Sequence, residues 1–146
     1  MKTLVLLMLF ATSAVGLRAQ TTGATDAAAR SYQPKSPADK AQSDAEFNAI
    51  AYLHTLGYAE RLYYRKHQAY PAALAGLVGT GSFTRRMAMP NRGDYTVAYR
   101  LQRDGYAVTM TPKQFDSGHR SFYLSETGQI RVDDTKRANA DSPLLQ

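Results

Sequence analysis

The residues whose types could do chemistry are few: three histidines, one carboxylate inside a long helical pattern, and a scatter of arginines. His54 and His67 stand 13 apart, a spacing that does not put them on one helical face as a ligand pair, and no carboxylate sits at a metal-binding spacing beside either. His54 is expected as a partly buried helix residue. Asp116, His119 and Ser121 have the residue types of a hydrolytic triad, but they crowd into six positions. Triads converge in space from separate elements, so no catalytic role is assigned to them. Glu60 follows Glu46 in the helix and would become a general acid or base only if buried. A structural role is the expectation, with Tyr64 or Arg103 as partners within reach.

The chain has no cysteine, which excludes disulfides, thiolate metal sites and a thiol nucleophile. Gly76, Gly79 and Gly81 precede neither a Lys-Ser/Thr pair nor a helix, so no phosphate loop is read there. No catalytic, cofactor-binding or metal-binding residue is assigned. The arginines are the remaining candidates. Arg85, Arg86 and Arg92 fall in one loop, and Arg100 and Arg131 fall with Tyr123 on the strand face opposite the expected core. Arginine beside exposed aromatics suits an interaction surface or a polyanion such as DNA. The bland alternative is a solvated sheet face bearing ordinary Arg. The formal charge is only +6 over 146 residues, a mild excess with no dense cluster.

These residues need elements to place them. Ser43-Asp44-Ala45-Glu46 fits a capping box, with Ser43 accepting from the Glu46 N–H and Glu46 reaching back to Ser43. Ala45, Ala49, Tyr52, Leu53, Leu56, Ala59 and Tyr63 then recur at spacings of three and four, flanked by Phe47, Ile50, His54 and Tyr58. This predicts a long helix with a broad apolar side. Gly57 sits inside it, where close approach to a sheet would explain a Gly. Arg61, Arg65 and Lys66 near its end suit the helix dipole, and Tyr70-Pro71 is expected to end it. Leu74, Leu77 and Val78 predict a short helical turn, and 82–93 a connecting loop.

From Asp94 the period changes from 3.6 to 2. Tyr95 to Leu101, Tyr106 to Thr111, Arg120 to Ser125 and Gln129 to Val132 read as strands. Asp104-Gly105 and Glu126-Thr127-Gly128 read as turns. One sheet face collects Tyr95, Val97, Tyr99, Leu101, Tyr106, Val108, Met110, Phe122, Leu124, Ile130 and Val132, and only the long helix is large enough to cover it. The fold class is therefore α+β: a helix packed on a sheet of three or four antiparallel strands. Ten Tyr and five Phe with no Trp supply the core with rings that carry polar tips.

The N-terminus reads as an address. Lys2, the apolar run Leu4–Phe10 and the small residues up to Leu17-Arg18-Ala19 make residues 1–19 a secretory signal peptide, cut before Gln20, with Ala14-Val15-Gly16 as the alternative site; a membrane is then expected as a partner only through an uncleaved N-terminus. The apolar part is shorter than the roughly 17 to 25 residues of a membrane span. Residues 20–42 hold no Leu, Ile, Val or Phe and are expected as a flexible linker. Residues 43–132 form the expected domain, and 133–146 a polar, frayed tail.

Three stretches resemble type IV pilins and type II secretion pseudopilins. Leu53-His54-Thr55-Leu56-Gly57-Tyr58-Ala59-Glu60-Arg61-Leu62-Tyr63 is similar to the second half of the pilin helix. Tyr70-Pro71-Ala72-Ala73-Leu74-Ala75-Gly76-Leu77 is similar to the element that follows it. Arg120-Ser121-Phe122-Tyr123-Leu124-Ser125-Glu126-Thr127-Gly128-Gln129-Ile130-Arg131 is similar to the last hairpin. The prepilin features are absent: no Gly before the cut, no Glu at the fifth mature position, and no continuous apolar helix. Asp133-Asp134 lacks the spaced partners of the acidic calcium loop found in some pseudopilins. The resemblance implies a pilin-like globular head on an ordinary export signal. The expected role is then a non-enzymatic structural or interaction protein, periplasmic or extracellular, with a protein partner. The alternative is a polyanion-binding module.

Overall fold

The computed structural model describes residues 32–146. The expected signal peptide and residues 20–31 of the expected linker lie outside the described residues. The described chain is α+β, with one long α-helix and a five-stranded antiparallel sheet. Helix α1 spans Asp44–His67, and short 3-10 turns follow at Leu74–Leu77 and Arg85–Ala88. The strands are β1 Asn91–Arg92, β2 Tyr95–Leu101, β3 Tyr106–Pro112, β4 Ser121–Ser125 and β5 Ile130–Asp133. They pair in chain order, a plain meander. The extra strand, β1, lies in the stretch expected as loop. Two residues are too few to carry an alternation signal, and only its pairing with Thr96 and Tyr95 makes it a strand.

α1 begins as the capping box predicts at one half. The Ser43 side chain accepts from Glu46 N at 3.1 Å. The other half differs: Glu46 reaches past Ser43 to Gln42 N, at 2.9 Å. The helix ends at His67, three residues before the expected stop. Gln68 adopts a left-handed conformation, φ 53°, and its N–H bonds to Tyr64 O. Its buried stripe is Glu46, Ala49, Tyr52, Leu53, Leu56, Gly57, Ala59 and Glu60. His54 is exposed and Tyr58 half-exposed, contrary to their expected place beside the core. The stripe that meets the sheet is narrower than the run of apolar letters.

The sheet register brings Val97 opposite Met110, Met110 opposite Phe122, Val108 opposite Leu124, and Leu124 opposite Ile130. All of these are buried in one core with the helix stripe, Leu74, Leu77 and Phe83. Leu101, expected on this face, is 46% exposed at the hairpin end, where no element covers it. The Asp104-Gly105 turn forms, with Gln102 N bonded to Gly105 O. Gly105 has no positive φ, and a Cβ on it would meet only the exposed side chain of Glu126, which can swing aside.

Both ends expected to be loose are tied down. In the stretch 32–42, Asp39 accepts from Tyr32 Oη and from the N–H groups of Lys35 and Ala41. Lys35 pairs with Asp44 at 2.9 Å and lies over the Phe47 ring. The C-terminal segment crosses the outer sheet face. Ala138 N bonds to Ser121 Oγ, Val132 N to Pro143 O, and Leu145 N to Ile130 O. Asp133 caps the turn that starts this return, accepting from the N–H groups of Thr135 and Lys136. Polarity of composition hid this, because the anchors are mainly backbone hydrogen bonds, two small buried residues, Ala138 and Ser142, and one apolar side chain, Leu145, against the core.

Candidate functional site

Among the described residues a broad concavity lies between the N-terminal half of α1 and the stretch 84–95. Ala45, Asn48, Tyr52 and Thr55, spaced three and four apart, present one helical stripe to it. Met87, Met89, Pro90 and Asn91 form the opposite wall, and Ala49, Tyr95 and Met110 the floor. Its volume is about 840 Å³. Small alanines on the helix leave the hollow, and the wall stands because two ties hold it. The Tyr52 hydroxyl donates to Met87 O at 2.9 Å, and the Arg92 guanidinium lies 4.6 Å above the Tyr52 ring. Arg92 also donates to Arg86 O at 3.2 Å. Burial pushes the Tyr52 hydroxyl up to about 12, against a smaller opposing effect of Arg92, so it remains a neutral donor. A groove of this size with an apolar floor and a few rim polar groups is the form that binding sites take.

The six residues singled out from the sequence separate into two places. Arg86 and Arg92 stand at this groove's wall, while Arg85, in the same second 3-10 turn as Arg86, does not line it. Arg100, Tyr123 and Arg131 lie on the outer sheet face. There the tail changes their expected exposure. Tyr123 is 8% exposed, and the Arg131 guanidinium donates to Ser142 O at 2.8 Å. Arg100 stays exposed and shares a shallow depression with Arg137. Arg137 was not singled out, since nothing in a polar tail signals that it folds back.

The remaining chemistry-bearing residues disperse. Asp116 Oδ1 sits 2.8 Å from His119 Nδ1, and Asp94 Oδ2 lies 3.6 Å from His119 Nε2. Burial alone would raise the Asp116 carboxyl, but the His119 and Gly118 hydrogen bonds hold it below its ordinary value. Ser121 turns away, its hydroxyl donating to Met110 O at 2.9 Å, so these three do not form a proton relay. Among the described residues no group of three or more His, Asp or Glu could hold a metal ion, and no helix is long and apolar enough to cross a membrane.

Two acids are fully buried, and sequence reasoning gave only their helical places. Glu46 is paired: its carboxylate accepts from Arg120 N at 2.9 Å and from the Arg120 guanidinium at 2.8 Å. Glu60 has neither Tyr64 nor Arg103 as partner, and both its carboxyl oxygens are buried without a hydrogen bond.

No family model, curated protein or solved structure matches the chain. What the site can do therefore rests on its own geometry. It offers a groove with recognition groups, lined by Arg86 and Arg92 and also by Asp94.

Proposed function

We propose that this chain is an exported, pilin-like interaction domain that seats a segment of a protein partner in the groove between α1 and residues 84–95. The groove carries the reading. Its floor offers apolar contact at Ala49 and Met110, and its rim offers Asn48, Thr55 and Asn91 as hydrogen-bonding groups beside Arg86 and Arg92. An interface patch with an apolar centre, Met and Arg, and a polar rim has this composition. The segment that fits is extended and carries acidic side chains toward Arg86 and Arg92 and away from Asp94, which also lines the groove. The order of elements, a long helix followed by an antiparallel meander, supports the pilin-like reading. The domain is non-catalytic in this account, and its partner is a protein.

A photoreactive side chain placed at Asn48 or at Thr55, in the cells that make the protein, tests this. The expected result is one discrete protein adduct from both positions and none from the exposed Arg65 at the far end of α1. The purified partner should then bind the intact chain and lose at least tenfold in affinity on Asn48→Arg. No adduct above the Arg65 background would end the reading. An adduct carrying nucleic acid would transfer the function to polyanion binding.

A further inference from the structure

The second buried acid, Glu60, has a different setting. It lies on the sheet side of α1, 0% exposed, and both carboxyl oxygens lack a hydrogen-bond partner. The titratable groups that face it are tyrosines: Tyr70 on the segment after α1, Tyr99 on β2 and Tyr106 on β3. Glu126 lies near Tyr70 and Tyr106 on the turn before β5, and the exposed Arg61 lies near Tyr106. Among the described residues no Lys or Arg pairs with Glu60.

The nearest hydroxyl is already engaged: Tyr99 Oη donates to Pro71 O at 2.8 Å. That bond fastens the turn 70–77 to the sheet. Tyr99 has one proton to give and two acceptors in reach, a neutral carbonyl and the Glu60 carboxyl. Ionisation of Glu60 changes which acceptor wins, because a hydrogen bond to a carboxylate is roughly twice as strong as one to a neutral group. A buried carboxylate with no partner is also too costly to leave unpaired.

We propose that Glu60 and Tyr99 form a proton-linked latch: with Glu60 protonated, Tyr99 holds Pro71, and with Glu60 ionised, Tyr99 turns to the carboxylate and releases Pro71, loosening the turn that follows while Leu74 and Leu77 stay in the core. The proton passes to solvent, and no other bond breaks. Desolvation raises the Glu60 carboxyl from its ordinary 4.5 to about 7, against a smaller opposing effect of the Tyr99 hydroxyl. A raised carboxyl binds its proton more tightly in the folded chain. The stability it contributes is complete below about pH 4.5 and is lost as pH rises through about 7. Neutral pH is thus where the latch works.

Amide hydrogen exchange of the full chain at pH 6 and pH 8.5, corrected for intrinsic rates, reads the latch directly. The reporters are Gly76 N–H and Thr80 N–H, bonded to Ala73 O and Leu77 O, against Val97 N–H, bonded to Pro90 O in the sheet. Protection at Gly76 and Thr80 should fall at least tenfold more than at Val97. Glu60→Gln, which cannot ionise, should remove that pH step, and Tyr99→Phe should leave the turn weakly protected at both pH values. Equal losses at all three amides in the wild-type chain would overturn the proposal and leave Glu60 a buried acid without a latch. A pH step that persists in either variant would overturn it as well.

Discussion

Glu46 accepts main-chain hydrogen bonds from Gln42 and Arg120 and holds the Arg120 guanidinium, all on one buried carboxylate. Arg120 also donates to Lys40 O, so one ion pair joins the approach to α1, its first turn and the start of β4. Removing one member of a buried pair leaves the other charged and unsolvated. Arg120→Leu is therefore expected to destabilise the domain by about 3–5 kcal/mol in urea unfolding at neutral pH. A loss within the ±0.5 kcal/mol typical of surface changes would mean that the pair does not bear on stability. The capping box placed Glu46 at the helix start from local spacing alone. Its partner, 74 residues away, was not legible, because a contact between distant segments leaves no periodic trace in one sequence. Glu60 was visible in the same partial way: its position was plain, and its lack of a partner was not.

Periodicity read the elements best where they are long. The change from a 3.6 to a 2 residue repeat near Asp94 matches the passage from helix to sheet, and the β2–β3 register pairs the expected inward residues. It failed for β1 and for the returning tail, which are held by main-chain bonds rather than by an apolar face. Gly57 shows what the helix demands. A Cβ there would meet Leu124 Cδ2 of β4 at 3.4 Å and Tyr106 Oη at 3.8 Å, contact without overlap. Close approach to the sheet is real, yet alanine fits. Gly57→Ala is expected to stabilise the domain by up to about 1 kcal/mol, the helix-propensity gain, measured by thermal or urea unfolding. A loss of stability would mean that α1 packs more tightly on β4 than this geometry has it.

A single thin core sets three buried tyrosines, Tyr52, Tyr95 and Tyr106, among aliphatic side chains and two phenylalanines, and is closed by one helix. Tyr64, Tyr70, Tyr106 and Tyr99 run ring to ring beneath its C-terminal half, with centroid separations of 4.7, 5.2 and 6.2 Å. The C-terminal segment covers part of the outer sheet face, and the groove beside α1 is broader than the depression left there. That groove was the least legible feature. Its walls come from α1, a loop and an edge strand, and only folding brings these together. The arginines of its wall were singled out, but composition grouped them with others that lie on the opposite face of the sheet. In the proposed role this domain works outside the cytoplasm through contacts with another protein. Its most direct test is expression of the full-length chain in a Gram-negative host, followed by cell fractionation and intact mass. The account predicts a periplasmic or secreted species that begins at Gln20. A cytoplasmic species that retains Met1 would contradict it.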